Sequence, residues 1–300
     1  MDAFHRRADR RAVRAGIVHP LASTCLAAYL SRTLPPHRLN VVMGWYVSAT
    51  VTGGMGGRLL GGFVFPPEHW RLAFIGAAAI VAGAVSAAVR WLPRDQPPPR
   101  GETESTGFLR LLSRPELLRM LSVGFFAFFV FSAMFNYVPF YLSGPPLHAG
   151  VRAITLLYLA YVMGIAAGPL AGRLTNRFGT GTTLVLGSLL FAAAITLTLI
   201  PSLPAIAASL TAICGGFFTM HAAAVGSLNA RLTESRGRAN SLYVLLYYLG
   251  GAAGISAAGA AYARWGWPGV AALGLAALFV PFAIGIAEVA ATRRVDDIVL

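Results

Sequence analysis

The amino-acid sequence predicts an all-α fold, a polytopic bundle of membrane-spanning helices. Hydrophobic residues make up 56% of the 300-residue chain and charged residues only 12%, whereas a soluble domain has about 25% charged residues. The apolar residues also occur in repeated runs of roughly 20, the length that a helix needs to cross the hydrocarbon core of a bilayer. The chain is therefore expected to cross a membrane several times instead of folding around one water-excluding core.

The apolar runs predict eight transmembrane helices, or nine if residues 15–30 also span. That run is the weakest candidate, because it is short and contains His19 and Pro20. If it spans, the arginine-rich arm before it lies outside the cell; if it does not, the arm stays inside. The other eight predicted helices cover about residues 41–65, 70–91, 121–142, 154–170, 182–200, 205–228, 241–261 and 270–290.

A polar stretch divides the predicted helices into two groups. Residues 93–119 contain Pro97, Pro98, Pro99 and charges of both signs, a composition typical of a linker. The predicted organisation is a partial N-terminal bundle at 1–92, a linker at 93–119 and a six-helix C-terminal bundle at 120–300.

The placement of arginine predicts the orientation in the membrane. Most loop arginines, including those of the linker, fall on one side, and only Arg71, Arg152 and Arg264 fall on the other. Because basic residues are enriched in cytoplasmic loops, the linker and the C-terminus are predicted to be cytoplasmic. The net charge of +13 therefore indicates membrane topology, and no nucleic-acid partner is expected. The predicted partner is the lipid bilayer, and the sequence does not indicate an oligomeric state.

A glycine ladder stands out in the second apolar run. Gly53, Gly57 and Gly61, followed by Gly62, are spaced so that the first three share one helix face. Small residues on one face allow close helix packing in lipid. A similar pattern recurs at a constant offset of 197 residues, and both runs end near a tryptophan that is predicted to lie in the membrane interface. The matched pairs are Tyr46 and Tyr243, Gly53 and Gly250, Gly54 and Gly251, Gly57 and Gly254, Gly62 and Gly259, and Trp70 and Trp267.

Arg58, in the middle of the ladder, is the first candidate site residue. A charged residue at membrane depth is costly, and normally faces a protein interior or an aqueous cavity. Arg58 is expected either to line a cavity and hold an anionic group, or to bond backbone carbonyls of a neighbouring helix. The sequence favours neither interpretation over the other.

The remaining candidates are polar residues within the predicted spans. His221 is the available titrating group, because its ordinary pKa of about 6.5 suits proton transfer and no Asp or Glu lies mid-span. Asn136 and Tyr137 are candidates for substrate contact, as is Tyr247. The structural alternatives are a neutral His221 bonded to another helix, and an Asn136 that bonds carbonyls freed by Pro139.

Enzymatic and metal chemistry are not expected. The sequence contains no nucleophile–base arrangement, no metal-ligand spacing and no phosphate-binding loop, so no cofactor is predicted. Cys25 and Cys214 both fall in apolar runs, where a small packing role is the simpler interpretation.

Two motifs resemble those of the major facilitator superfamily, on its drug:proton antiporter side. Residues 53–62 resemble the antiporter motif of the fifth helix, with Arg58 where many members have proline. Residues 172–179 resemble the superfamily's cytoplasmic loop motif between the eighth and ninth helices, with Asn176 in place of the usual aspartate. The loop-motif residues are Gly172, Arg173, Asn176, Arg177 and Gly179.

This resemblance covers about residues 15–292 and aligns the chain with helices four to twelve of a twelve-helix fold. The first three helices are absent from the chain, which implies a truncation, a late start assignment or a frame error. The resemblance is to bacterial inner-membrane arabinose or multidrug efflux proteins. It implies proton-coupled export of a drug-like compound or sugar by alternating access, with protons and the small molecule as partners. The alternative is a truncated, transport-inactive membrane remnant or interaction partner.

Overall fold

The structure is a computed structural model that describes residues 49–64, 69–92, 107–232 and 235–299. Every regular element in these ranges is a helix, as predicted. The helices are α1 at residues 49–59, continued by a π-helical turn at Leu60–Val64; α2 at Trp70–Trp91; α3 at Phe108–Leu112; α4 at Pro115–Ser143; α5 at Val151–Leu157, continued by a 3-10 turn at Tyr158–Tyr161; α6 at Val162–Leu197; α7 at Leu203–Ala230; and α8 at Arg236–Val299. The predicted run 15–30 and most of the predicted linker lie outside the described residues.

Two glycine corners divide the longest helices. Gly179 interrupts α6 with φ 81° and ψ 163°, and Gly266 interrupts α8 with φ 62° and ψ −152°. Both conformations are strained for residues with a β-carbon, which is why glycine is favoured there. We call the parts before and after these corners α6a and α6b, and α8a and α8b.

The lengths and compositions of these helices agree with the predicted transmembrane architecture. Six stretches of the described residues are long and apolar enough to cross a membrane, and the last of them, 237–292, is 56 residues long. Because Gly266 divides that last stretch, the described residues contain seven candidate membrane spans. Six of these follow the linker, which is the number that the apolar runs predict. Helix α4 begins at Pro115, whereas the C-terminal bundle is predicted to begin at residue 120. Proline at the first helical position is a common helix start.

The core lies where α4 packs along α8 and α6 packs along α7. Phe135, Phe191 and Phe217 are fully buried there. At the contact between α4 and α8a, a β-carbon on Gly250 or Gly254 would overlap the backbone carbonyls of Phe125 or Phe129. The glycines therefore bring the two backbones close enough for dense van der Waals packing, the main attraction between helices in lipid.

The first ladder has different surroundings from its repeat. No atom of the described residues lies within 4 Å of the β-carbon positions of Gly53, Gly57 and Gly61, whereas Gly62 packs against the Thr155 side chain on α5. Helix α2 has no buried residue at all, so among the described residues its apolar surface is open.

Trp267 packs inside the bundle, directly after the corner at Gly266. Its side chain is only 3% exposed, and its indole N–H donates to the Thr198 hydroxyl at 3.0 Å. Its ring also stacks on Tyr141, with centroids 4.9 Å apart. The buried indole N–H therefore has the hydrogen-bond partner that a buried tryptophan usually requires. Trp70, by contrast, is 52% exposed.

Candidate functional site

An aromatic cluster joins four helical elements in the C-terminal bundle. Three of its ring pairs join different helices. Their centroids are 4.2 Å apart for Phe131 and Phe217, 5.5 Å for Phe131 and Tyr161, and 3.8 Å for Phe128 and Tyr247. The cluster is made of Phe128, Phe131 and Phe135 from α4, Tyr158 and Tyr161 from the turn after α5, Phe217 and His221 from α7, and Tyr243 and Tyr247 from α8a. Offset and edge-to-face ring pairs stabilise such a cluster beyond simple burial.

Arg58 of α1 contacts one end of this cluster. Its guanidinium carbon lies 5.0 Å from the centroid of Tyr158 and 5.4 Å from that of Tyr161. Its Nη1 also donates to the backbone carbonyl of Gly54, at 3.2 Å, within its own helix. A cation over a ring gains about 0.5–2 kcal/mol, whereas an arginine in the middle of a membrane helix costs about 2.5–3.5 kcal/mol. The two rings are therefore a substantial part of what holds the charge in place.

His221 lies at the other side of the cluster and is paired. Its Nδ1 and the hydroxyl of Tyr243 are hydrogen-bonded at 2.9 Å. Its ring stacks on that of Phe217, with centroids 5.8 Å apart, and its centroid lies 5.2 Å from that of the Tyr247 ring. The structure thus brings two of the predicted candidates, His221 and Tyr247, into contact. The hydrogen bond satisfies Nδ1, and which of the two groups donates depends on the tautomer of the imidazole.

Asn136 and Tyr137 do not join the aromatic cluster through their own side chains. The Asn136 amide donates to the Ser132 carbonyl, one turn earlier in α4, at 2.8 Å. Proline at position 139 has no N–H for the carbonyl of Phe135, and the Tyr158 hydroxyl donates to that carbonyl at 3.1 Å. The carbonyl freed by Pro139 is thus bonded by Tyr158 and not by Asn136.

Tyr137 points toward α8. Its ring centroid lies 5.6 Å from that of Tyr262, and its hydroxyl occupies the space where a β-carbon on Gly259 would lie. Gly259 therefore makes room for Tyr137, which is a packing role for both residues. Gly251 makes room in the same way for the ring of Phe128, which would lie 2.6 Å from an added β-carbon.

A charged network near the ends of three helices was not singled out from the sequence. Glu288 of α8b is buried, at 8% exposure. It accepts a hydrogen bond from Arg119 of α4 at 3.2 Å and another from Arg231, which follows α7. Arg231 also donates to the Glu116 carbonyl at 3.2 Å and to the Ser227 hydroxyl at 3.1 Å. The available sequence signal was that Glu288 is the one acidic residue inside a predicted span.

The loop motif lies at the corner between α6a and α6b. Gly179 has a positive φ, and the Thr183 hydroxyl donates to its carbonyl at 2.9 Å. The guanidinium of Arg177 lies 5.1 Å from the ring centroid of Phe178. The other motif residues named above, Gly172, Arg173 and Asn176, are exposed. Among the described residues, no group of three His, Cys, Asp or Glu side chains is placed to bind a metal ion.

Comparisons with known proteins agree with this architecture. The Escherichia coli (strain K12) inner membrane transport protein YnfM is 32% identical over 264 residues, which is 86% of this chain and 63% of YnfM. The Bacillus subtilis (strain 168) uncharacterized MFS-type transporter YybF is 24% identical, over 89% of this chain and 67% of YybF. This chain therefore spans about two thirds of the length of these relatives.

A solved structure and a family model also match most of the chain. The crystal structure of a bacterial homologue of the iron transporter ferroportin, in an outward-facing state, matches with a TM-score of 0.62 and 17% identity, over 90% of this chain and 69% of that chain. At that identity, the match concerns the fold alone. The family model described as Major Facilitator Superfamily matches residues 12–165 and 144–296. The two relatives above are named as transporters and not as enzymes. The chain is a multi-pass membrane protein and belongs to the Major Facilitator Superfamily.

Proposed function

We propose that this chain moves a small molecule out of the cell across the inner membrane, in exchange for protons, by alternating access. The observation that supports this is the aromatic cluster. One end of this cluster, at Tyr158 and Tyr161, contacts Arg58 of α1, a helix that precedes residues 93–119. A midplane site between two helix groups is where transporters of this architecture bind their substrates.

The proposed mechanism requires the contact between the helix groups to change. Arg58 on Tyr158 and Tyr161, and Gly62 against Thr155, are contacts between α1 and the C-terminal bundle. Rocking of one group against the other would break and remake such contacts while the cores within each group stay intact. The substrate would be a drug-like compound or a sugar, held against aromatic side chains.

An assay of proton release on addition of a candidate substrate tests the proposed exchange. Everted membrane vesicles containing the chain are energised until they become acidic inside, as reported by quenching of the dye ACMA. Ethidium, arabinose or 2-naphthoate, which represent cationic, neutral and anionic compounds, is then added. Rapid recovery of the dye signal, absent from vesicles without the chain, would support the proposal. No recovery with any compound of a broad panel would contradict it.

We further propose that His221 carries the exchanged proton. The variant His221→Gln keeps a polar side chain that can bond the Tyr243 hydroxyl, but it cannot be protonated at ordinary pH. We expect dye recovery to be lost while the variant still folds and inserts. The matched control is His148→Gln, which changes an exposed loop histidine and should leave recovery unchanged. Full recovery with His221→Gln would assign proton transfer to another group.

The topology proposal has a separate test. We propose that residues 93–119 and the C-terminus are cytoplasmic, because most loop arginines lie on that side. Alkaline phosphatase fused after residue 106 or residue 300 is expected to be inactive, and active when fused after His148. The reverse pattern would mean that the orientation is inverted.

A second candidate function is that of a membrane protein that inserts and contacts partners without transporting. It is favoured by the 63% coverage of YnfM, since an alternating-access transporter uses two complete helix groups. It predicts stable insertion with no substrate-dependent dye recovery, and gain of transport when a longer form of the same protein is expressed.

A further inference from the structure

We propose that Arg58 and the aromatic cluster form a binding site for an aromatic organic anion, whose acidic group pairs with the Arg58 guanidinium. This inference names the substrate class of the site described above, and so rests on the proposed transport function. It is carried by the charge balance around Arg58 and by the continuity of the rings beside it.

Among the described residues, no carboxylate contacts Arg58. The chain has eleven acidic residues, of which only Glu288 falls inside a predicted span, and that carboxylate is engaged by Arg119 and Arg231. The contacts of Arg58 in the described residues are its own helix carbonyl, at Gly54, and the faces of two tyrosines. Arginine is charged at all ordinary pH values, and its planar fork matches a carboxylate or phosphate. The unbalanced charge is therefore suited to an anion supplied by a ligand.

The rings beside Arg58 supply the apolar half of the site. Tyr161 connects Arg58 to Phe131, whose ring lies 6.2 Å from that of Phe128. Phe128 and Tyr247 are stacked almost parallel, at 10°, and both are partly exposed. An aromatic ring can stack on such a surface with little cost in entropy, because the rings are already held by their neighbours. The chemistry that fits is a flat aromatic group with one anionic substituent.

The charge of Arg58 predicts which class of ligand the site should prefer. The guanidinium would repel a cationic compound. A neutral compound would displace water from the guanidinium without providing a charged partner in its place. Both classes could use the aromatic surface, but only an anion gains the charge-assisted hydrogen bonds. Discrimination between matched ligands is therefore the property to measure.

The test is equilibrium binding to the purified full chain in detergent, followed by calorimetry. The probes are 2-naphthoate, 2-naphthamide and 2-naphthylmethylamine, which share one ring system and differ in charge. We expect 2-naphthoate to bind about ten-fold more tightly than 2-naphthamide and the amine to bind weakest, because one charge-assisted pair is gained or lost. Equal affinities for the naphthoate and the amide in the unaltered chain would overturn the inference without any variant.

Two variants then assign the selectivity to Arg58. Arg58→Gln should lower the affinity for 2-naphthoate by about ten-fold and change the affinity for 2-naphthamide by less than about two-fold. The affinity of Arg58→Lys for 2-naphthoate should lie between those of the unaltered chain and Arg58→Gln, because lysine keeps the charge and loses the planar fork. The control is Arg71→Gln, which removes a guanidinium that lies 4.7 Å from the Trp70 ring, away from the aromatic cluster, and should leave all three affinities unchanged. Unchanged naphthoate binding by Arg58→Gln, or an equal loss in Arg71→Gln, would overturn the inference.

Failure of this inference and failure of the transport proposal give different results. A chain that binds 2-naphthoate selectively but shows no dye recovery retains the anion site and loses the transport function. A chain that exchanges protons for ethidium or arabinose, yet binds the naphthoate and the amide equally, retains transport and loses the anion site.

Discussion

Individual polar side chains in this bundle are nearly all satisfied by one specific partner. The described residues contain no buried side-chain nitrogen or oxygen without a hydrogen bond. In a bilayer this matters more than in water, because no solvent is present to replace a lost partner. His221 with Tyr243, and Tyr158 with the Phe135 carbonyl, show the two ways in which this is done, side chain to side chain and side chain to backbone.

The hydrogen bond from the Tyr158 hydroxyl to the Phe135 carbonyl can be tested by substitution. Tyr158→Phe should lower the free energy of unfolding by about 1–3 kcal/mol, because the Phe135 carbonyl is left without a donor. In a Pro139→Ala background the same change should cost much less, because the restored N–H of residue 139 can bond that carbonyl. Unfolding of all four proteins in detergent measures the coupling between the two positions. A cost that is the same in both backgrounds would contradict the assigned hydrogen bond.

At the scale of helices, close packing and glycine corners decide the arrangement. Gly179 and Gly266 allow α6 and α8 to change direction, and Gly250 and Gly254 let α8a approach the α4 backbone. The first ladder, in α1, resembles the second in sequence. Among the described residues, however, only Gly62 of its glycines lies against another helix. The similarity in sequence therefore does not extend to the same contacts in the described structure.

A pair of substitutions with opposite signs tests the packing of α8a. Gly254→Ala should destabilise the protein by about 1–3 kcal/mol, because the methyl group meets the Phe129 carbonyl and the helices must separate. Gly226→Ala in α7, where no atom of the described residues lies within 4 Å of the β-carbon position, should be neutral or stabilising by up to about 1 kcal/mol, since alanine is the better helix former. Thermal unfolding of the two variants provides the comparison. Equal effects would mean that α4 and α8a are farther apart than described.

At the scale of the whole molecule, the charged network ties together helices that are distant in sequence. Glu288 near the end of α8b bonds Arg119 near the start of α4, and Arg231 just after α7. One carboxylate shared between two arginines holds three helices at one end of the bundle. The side chains are 10%, 42% and 25% exposed for Glu288, Arg119 and Arg231, respectively, so water weakens the interaction at Arg119 most.

The exposures predict an order of stability losses. Glu288→Gln should cost most, roughly 2–4 kcal/mol, since it leaves two arginines facing each other in a partly buried place. Arg231→Gln should cost less, and Arg119→Gln least, at about 0–1 kcal/mol, as for a surface pair. Melting temperatures of the three purified variants establish the order. A larger loss for Arg119→Gln than for Arg231→Gln would show that the contacts of Arg231 with Ser227 and Glu116 contribute little.

The sequence determined the fold class, the spans after the linker and the family. Each of these depends on the length of the apolar runs, the positions of glycine and proline, and local motifs, which are all properties of contiguous residues. The sequence predicts residues 115–119 as part of the linker, because charged residues interrupt the apolar pattern at the start of α4. Pro115 and Glu116 are nevertheless typical of a first helical turn.

Only the tertiary structure decided which polar residues meet. Arg58 with Tyr158 and Tyr161, His221 with Tyr243, and Glu288 with Arg119 and Arg231 are separated by 22 to 169 positions in the chain. In a soluble helix, a polar face would indicate which side contacts the core. These helices are apolar on nearly every side, since lipid and protein interior are both apolar. Periodicity therefore does not specify the inward face, and the contacts that define the candidate site emerge only when the helices are packed.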